Sequence, residues 1–559
     1  MVLLPFRQIS RVTSPEPTPA LAHSLRQPSL SPAFRLRPLA RTLALAALCS
    51  LLWTSGGPQG QPLQAMAQVN LPALGDSVSS DFDIMDERRL GERIMREIRH
   101  DPEYLDDPLL SDYLNSIWQP LLNAARNRGN ISAEQDTNFP FETFQVLDRS
   151  INAFALPGGY VGVHLGLIAM TANSDELASV LGHELTHITQ RHIGRSMVNA
   201  QHQSIATVAG LVLGMIAATR ARSVDAANAV IIGSQAAAAQ GQLNFSREME
   251  READRIGLQL MSSAGFASAG MAGMFEKLES SSRLNDSNQY PYLRSHPLTI
   301  ERISEARLRM NSNPSTRPPS LAVHALMQAR ARVLMDGAEP ALRKLQTVAS
   351  PGSPAVDEAR LGAIYAGAMA SMRLRDFPQA LRLADSGLEL AKRQYAREPV
   401  AARDFALLRL EIEGNSGKPA ESLTAALDSL GNDNSRPNLL ARAQAAQAWQ
   451  RAGDAAAPAA LRSSMEALQT WVTEHKQDAL AWLALSQCAN AQGQRLRALR
   501  ADAEAAAAVG DVLGAVDRFR VAQRIAKEDP GSDYVESSII QSRLRDLEAE
   551  RRRMLLERD

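Results

Sequence analysis

Cysteine is almost missing from this chain. Its 559 residues include two, Cys49 and Cys488, which excludes a disulfide framework. A dominant charge is missing as well: 60 Lys and Arg stand against 61 Asp and Glu, a net charge of −1, so nothing points to nucleic acid. Long apolar runs are missing too. The stretches Leu43–Trp53 and Ile205–Ala218 both fall short of the ~20 residues a bilayer span needs. What is there is an ordinary globular composition, 45% hydrophobic and 22% charged, in a chain too long for one core.

The first apolar stretch has the layout of a secretory signal. Arg35, Arg37 and Arg41 precede it, and Ala65-Met66-Ala67 offers an A-x-A cleavage site. We expect residues 1–67 to be leader, cleaved after Ala67, and the mature chain to be exported with Cys488 alone. Ile205–Ala218 reads as a buried or interfacial helix, the basis for expecting a peripheral membrane contact.

The chain is organised around His183-Glu184-Leu185-Thr186-His187, an H-E-x-x-H pattern. Residues at i and i+4 share a helix face, so both imidazoles can reach one metal ion. Glu184 stands beside the first and can take a proton from water at the metal. Asn173 or Ser174 can cap the helix, Leu177, Val180, Leu181, Leu185 and Ile188 form its buried stripe, and Gly194 is its expected stop. On one continuous helix His192 falls about half a turn away from His183, at 100° per residue, and plays no part.

A third ligand is needed, and Ser246 to Asp254 supplies it. Ser246 can cap a helix with the stripe Met249, Ala253, Ile256 and Leu260. Glu250 and Asp254 share one face. Glu250 can complete a His2Glu zinc site, and Asp254 can accept the other ring N–H of a ligating histidine. Glu252 points away. Upstream, Ser80 to Leu122 reads as helical and Phe141 to Leu147 as a strand. Two short apolar runs flank Pro157-Gly158-Gly159, a hairpin signal, and a strand there can pair with an extended peptide.

Asn152-Ala153-Phe154, the H-E-x-x-H, Glu250-Arg251-Glu252-Ala253-Asp254, and His296-Pro297-Leu298 followed by Glu301-Arg302 resemble, in that order, the M48 metallopeptidases. The similarity is greatest to the periplasmic branch, the β-barrel assembly-enhancing proteases, which join a signal peptide, an M48 domain and a TPR domain. The resemblance implies one zinc ion on His183, His187 and Glu250, with Glu184 as general base. It implies a second-layer or proton-donor role for Asp254. It puts His296 at the active site, as a fourth ligand or an oxyanion donor, and Asn152 and Phe154 beside the substrate. Unfolded or misassembled outer-membrane proteins are the substrates it implies, and outer-membrane assembly machinery the partner.

The expected fold is mainly α: an α+β zincin-like (gluzincin) peptidase domain with a small sheet at 68–312, a Pro-rich linker at 313–320, and an all-α TPR-like domain at 321–559. Trp482, Leu485, Gly493, Ala498 and Ala505 have TPR-like spacing, and Gly510, Ala515 and Ala522 repeat part of it. Each part is expected to fold alone. The competing reading is a TPR scaffold or chaperone whose metal site is silent.

Overall fold

Asp83 starts the first helix, α1 (Ile84–Arg99): its carboxylate accepts from the Asp86 backbone N–H while Asp86 returns the contact. The computed structural model describes residues 82–199 and 246–556, apart from 285–289, 310–313, 318–319, 350–356, 417–426, 428–429, 431–432 and 529–532. The leader and its cleavage site, the Ile205–Ala218 segment and part of the linker lie outside the described residues. The helical stretch expected from Ser80 to Leu122 is broken. α1 ends at Arg99, Tyr104–Leu105 forms the short strand β1, and α2 (Pro108–Asn127) follows. Pro102 lacks an N–H to continue α1, and Asp107 with Pro108 makes a fresh helix start.

A four-stranded sheet has the order β1-β2-β4-β3, with β2 (Glu142–Val146), β3 (Ala153–Leu156) and β4 (Tyr160–His164). β2 and β4 are parallel; β3 and β4 form the expected hairpin. Its turn needs positive φ at Gly158 (76°) and Gly159 (94°), which only glycine adopts freely. β3 is therefore an edge strand. α4 (Leu165–Met170) leads from the sheet to α5 (Ser174–Thr189), the H-E-x-x-H helix, capped by Asn173 through the Glu176 N–H.

α5 crosses the next described long helix, α7 (Arg247–Ser263), at backbone contact; α6 (His192–Asn199) lies between them in the chain. Gly182 and Gly257 make the crossing possible: a Cβ on Gly257 would meet the Gly182 carbonyl carbon and the His183 nitrogen at 3.0 Å. This brings the first turns of α7 under the two histidines. α8 (Ala269–Leu284), the short α9 (Tyr292–Ser295) and α10 (Ile300–Arg309) close the far side.

Beyond Ser320 the described chain is helical. Helices Ala479–Ala491 and Arg495–Ala508, then Val512–Glu528 and Tyr534–Leu556, pack as consecutive pairs. Gly493 and Gly510 sit at the turns with positive φ. Among the described residues no helix is long and apolar enough to cross a membrane. One apolar cluster runs without interruption from Ile84 through α2, α5 and α8 into Leu326, Leu361, Phe405 and Trp449. The described part of the linker is pinned: Gly265 O accepts from Thr316 N (3.0 Å) and Ser315 Oγ (3.0 Å).

Candidate active site

The two helices and the loop after α9 place four donors in one buried cluster. His183 and His187 come from α5, Glu250 from α7, and His296 from the loop after α9; their ligating atoms all lie within 4.8 Å of one another. His183 Nε2 is 3.0 Å from His187 Nε2 and 3.3 Å from His296 Nδ1. Glu250 stands 3.5 Å from each α5 histidine and 2.9 Å from His296 Nδ1. Donors at a tetrahedral zinc, about 2.0–2.2 Å from the ion, stand roughly 3.3–3.6 Å apart, so the cluster has the dimensions and the N/O chemistry of such a site.

The ring orientations point the same way. His183 Nδ1 lies 2.9 Å from Asp254 Oδ1, which keeps the proton on that nitrogen and turns the Nε2 lone pair inward. Two inward ring nitrogens 3.0 Å apart need a cation between them, a proton or a metal ion. Burial lowers His187 well below the ordinary imidazole range, Glu250 acting against this and His183 with it, so the ring is neutral, as a ligand must be. Burial also lowers His183, but Glu250 and Asp254 outweigh it and raise the ring to about 10. The pocket favours positive charge.

Glu184 is fully buried and does two things at once. Its Oε2 accepts the Ala155 N–H of β3 at 3.0 Å. Its Oε1 has no hydrogen-bond partner and lies 3.5 Å from His296 Nε2. Burial raises its carboxyl above the ordinary range, with His296 and His183 opposing. A buried carboxylate oxygen without a hydrogen-bond partner, beside a cluster able to hold a metal ion, has the chemistry to exchange a proton there.

His296 is not on the surface. It is buried, ends α9, and its ring lies against Tyr292 at 4.7 Å between centroids. The loop is held by a residue to which sequence reasoning assigned no role. Arg302 on α10 contacts Asp254 Oδ2 (2.6 Å), Glu250 Oε2 (2.8 Å) and the Pro297 carbonyl (2.8 Å). Arg302 shares the buried face of α10 with Ile303 and Ala306, and a charge on a buried stripe is the signal that could have found it.

Asn152 precedes β3; its carbonyl accepts the His164 N–H, and its side-chain Oδ1 is buried without a hydrogen-bond partner. Phe154 corrects an expectation. Its ring lies over Gly162 and edge-on to Phe144 and His164, so it packs on the sheet.

His192 corrects another. α5 stops at Thr189, not Gly194, because Arg191 turns left-handed (φ 49°) and is held there by Glu87 Oε2 (2.9 Å) and the Phe82 carbonyl (2.8 Å). The chain reverses, and the His192 ring returns to His187.

If Glu250 is the third ligand, Glu250→Ala loses most bound zinc at equilibrium, while Glu252→Ala still fills when zinc is in excess. Metal analysis of both purified variants checks this, and equal retention would remove Glu250 from the ligand set.

The profile of Peptidase family M48 matches residues 121–310. A relative from Vibrio cholerae is 36% identical over 276 residues, 49% of this chain and 54% of its own length, so that alignment spans about half of the relative. The beta-barrel assembly-enhancing protease of Yersinia pestis is 31% identical over 472 residues, covering 84% of this chain and 91% of that protein. That of Escherichia coli (strain K12) is 28% identical over 503 residues, covering 89% and 94%. With a buried His-Glu cluster able to hold one metal ion in the matched region, the chain belongs to peptidase family M48, the zinc-dependent metallopeptidases, among relatives named beta-barrel assembly-enhancing proteases.

Proposed function

We propose that the chain is a periplasmic zinc endopeptidase that cleaves unfolded or misassembled outer-membrane proteins and so serves their assembly and quality control. The observation that carries this is Glu184: one carboxylate oxygen tied to the edge strand, the other bare and buried beside the donor cluster. His183, His187 and Glu250 would hold one zinc ion. Zinc there supplies Lewis acidity, polarising the scissile carbonyl and making water acidic enough to lose a proton near neutral pH. Glu184 Oε1 takes that proton as the water oxygen attacks the carbonyl carbon. The C–N bond then breaks, and Glu184 returns the proton to the leaving amine. Asp254 and Arg302 hold His183 and Glu250 in place.

β3 would hold the substrate extended. Asn152 O bonds to β4, so with strand alternation the backbone groups of Ala153 and Ala155 face the open edge, where Ala155 N–H meets Glu184. Residues 68–312 carry this chemistry. The helices of 321–559, read as TPR-like pairs, are suited to outer-membrane assembly machinery as partner. Export rests on the leader at 1–67. A scaffold with a silent site is disfavoured, because such a protein has no use for Glu184. Purified protein is expected to cleave an unfolded β-barrel protein and to stop when zinc is chelated; zinc-independent cleavage, or none, would end this reading.

His296 would be a fourth ligand that restrains the site. Its Nδ1 lies 2.9 Å from Glu250 Oε1 and its Nε2 3.5 Å from Glu184 Oε1, so the ring would hold the metal and screen the base together. A closed form populated at ~90% or more suppresses activity about tenfold or more. His296→Ala is therefore expected to keep zinc and raise proteolysis by about that factor. A fall of about 10²–10³-fold with zinc retained would instead make His296 an oxyanion donor.

A further inference from the structure

His183 and His187 are held from behind in different ways. Behind His183 stands a carboxylate, Asp254. Behind His187 stands another histidine: His187 Nδ1 lies 2.8 Å from His192 Nδ1, the rings nearly perpendicular at 75°. His192 is fully buried, and its Nε2 lies 3.1 Å from Glu252 Oε2. Glu252 is in turn met by Arg195 Nη1 at 3.2 Å. The line from Arg195 through Glu252 and His192 to His187 joins α6, α7 and α5.

We propose that Glu252 and His192 form a positioning pair that fixes the ring and the tautomer of His187 for the metal centre. The inference rests on the reading that His187 is a metal ligand. A neutral imidazole has one N–H and one lone pair. His187 Nε2 faces the donor cluster, so its lone pair goes there and its proton sits on Nδ1. That N–H donates to the Nδ1 lone pair of His192. The His192 proton then sits on Nε2 and donates to the Glu252 carboxylate. One acid thus orders both rings, and the opposite tautomer of either would set two N–H groups, or two lone pairs, against each other.

The geometry depends on the reversal at Arg191. On a straight continuation of α5, His192 would point away from His183 and His187. Arg191, turned left-handed and anchored to Glu87, starts α6 so that the ring returns to its neighbour. Glu252 points away from the donor cluster, since Glu250 and Asp254 occupy that face of α7, and it reaches the site through His192 instead.

Removing a partner behind a metal-bound histidine lowers metal affinity, commonly by about 10–100-fold. His192→Leu keeps the bulk and removes the acceptor, so the full chain should bind Zn2+ about 10–100-fold more weakly in competition with a chromogenic chelator. His192→Gln restores an amide oxygen that can accept from His187 and an amide N–H that can donate to Glu252. It should bind near the parental affinity. Glu252→Ala should weaken binding, and Glu252→Gln, whose carbonyl still accepts, should recover most of it. The d–d absorption of Co2+-loaded protein should change in His192→Leu and return in His192→Gln. The thermal midpoint of the chelator-stripped protein should be similar throughout, which a merely structural role would not give. His187→Ala is the control. If it binds Zn2+ as the parent does, the ligand reading fails and this inference with it. If it loses Zn2+ while His192→Leu binds normally, or while His192→Gln falls as far as His192→Leu, the positioning pair alone is wrong.

Discussion

Glu184→Gln protein is expected to keep its zinc and to lose proteolysis by about 10²–10⁴-fold, the range general-base catalysis contributes. The substitution preserves shape and one of two functions. The amide oxygen can still accept the Ala155 N–H that Oε2 accepts now. The amide nitrogen takes the place of Oε1, the bare oxygen, and cannot accept a proton from water. Folding, strand position and metal binding are therefore separated from proton transfer in one change. Zinc content by metal analysis and cleavage of an unfolded barrel protein are the two readouts. Loss of zinc would make Glu184 a ligand, and retained turnover would move the base elsewhere.

The features that make this prediction sharp were partly visible in the sequence. H-E-x-x-H and the Glu250/Asp254 pair were legible because each spacing is a property of a single helix. The caps Asn173 and Ser246 were legible because a short polar side chain before an apolar periodic run has one local use, and the Pro157-Gly158-Gly159 hairpin because its turn needs positive φ. What stayed hidden depends on partners far away in the chain. The reversal that returns His192 to His187 is anchored on Glu87, about a hundred residues upstream. Arg302 reaches Asp254 and Glu250 from another helix. Phe154 looked like part of a substrate motif, yet the strand alternation turns its ring into the sheet over Gly162.

The boundary near 313–320 was read from composition, and composition says nothing about which apolar stripes meet. Residues 68–312 looked able to fold alone. The contacts argue otherwise. Asp107, which caps α2 through the Leu110 N–H, also receives Arg330 from helix Leu321–Met335 at 2.7–2.9 Å, with both residues buried. Arg330 Nη1 meets the Tyr365 hydroxyl at 3.2 Å. Tyr113 on α2 donates to His324 Nδ1, and His324 Nε2 donates to Thr171 O at 2.8 Å, just before the zinc helix. Asp106 and Asp112 pair with Arg436 and Arg403, each at 2.7 Å. Around these pairs the apolar cluster is continuous.

Removing one member of a buried ion pair typically costs about 3–5 kcal/mol, because the other charge is left without its partner. Arg330→Ala should therefore lower the stability of the full chain by about that amount, as read from the denaturant midpoint at constant slope. Cutting after residue 312 removes Arg330, His324 and the apolar partners of α2 together. The 68–312 fragment is then expected to aggregate or to melt without a cooperative transition, and to hold zinc poorly, since α5 begins where His324 binds. A monomeric fragment that melts cooperatively with one zinc bound would reverse this conclusion. If the fragment fails as expected, the helices beyond 320 are part of the fold that positions α5, through His324 on Thr171 O and Arg330 on the cap of α2.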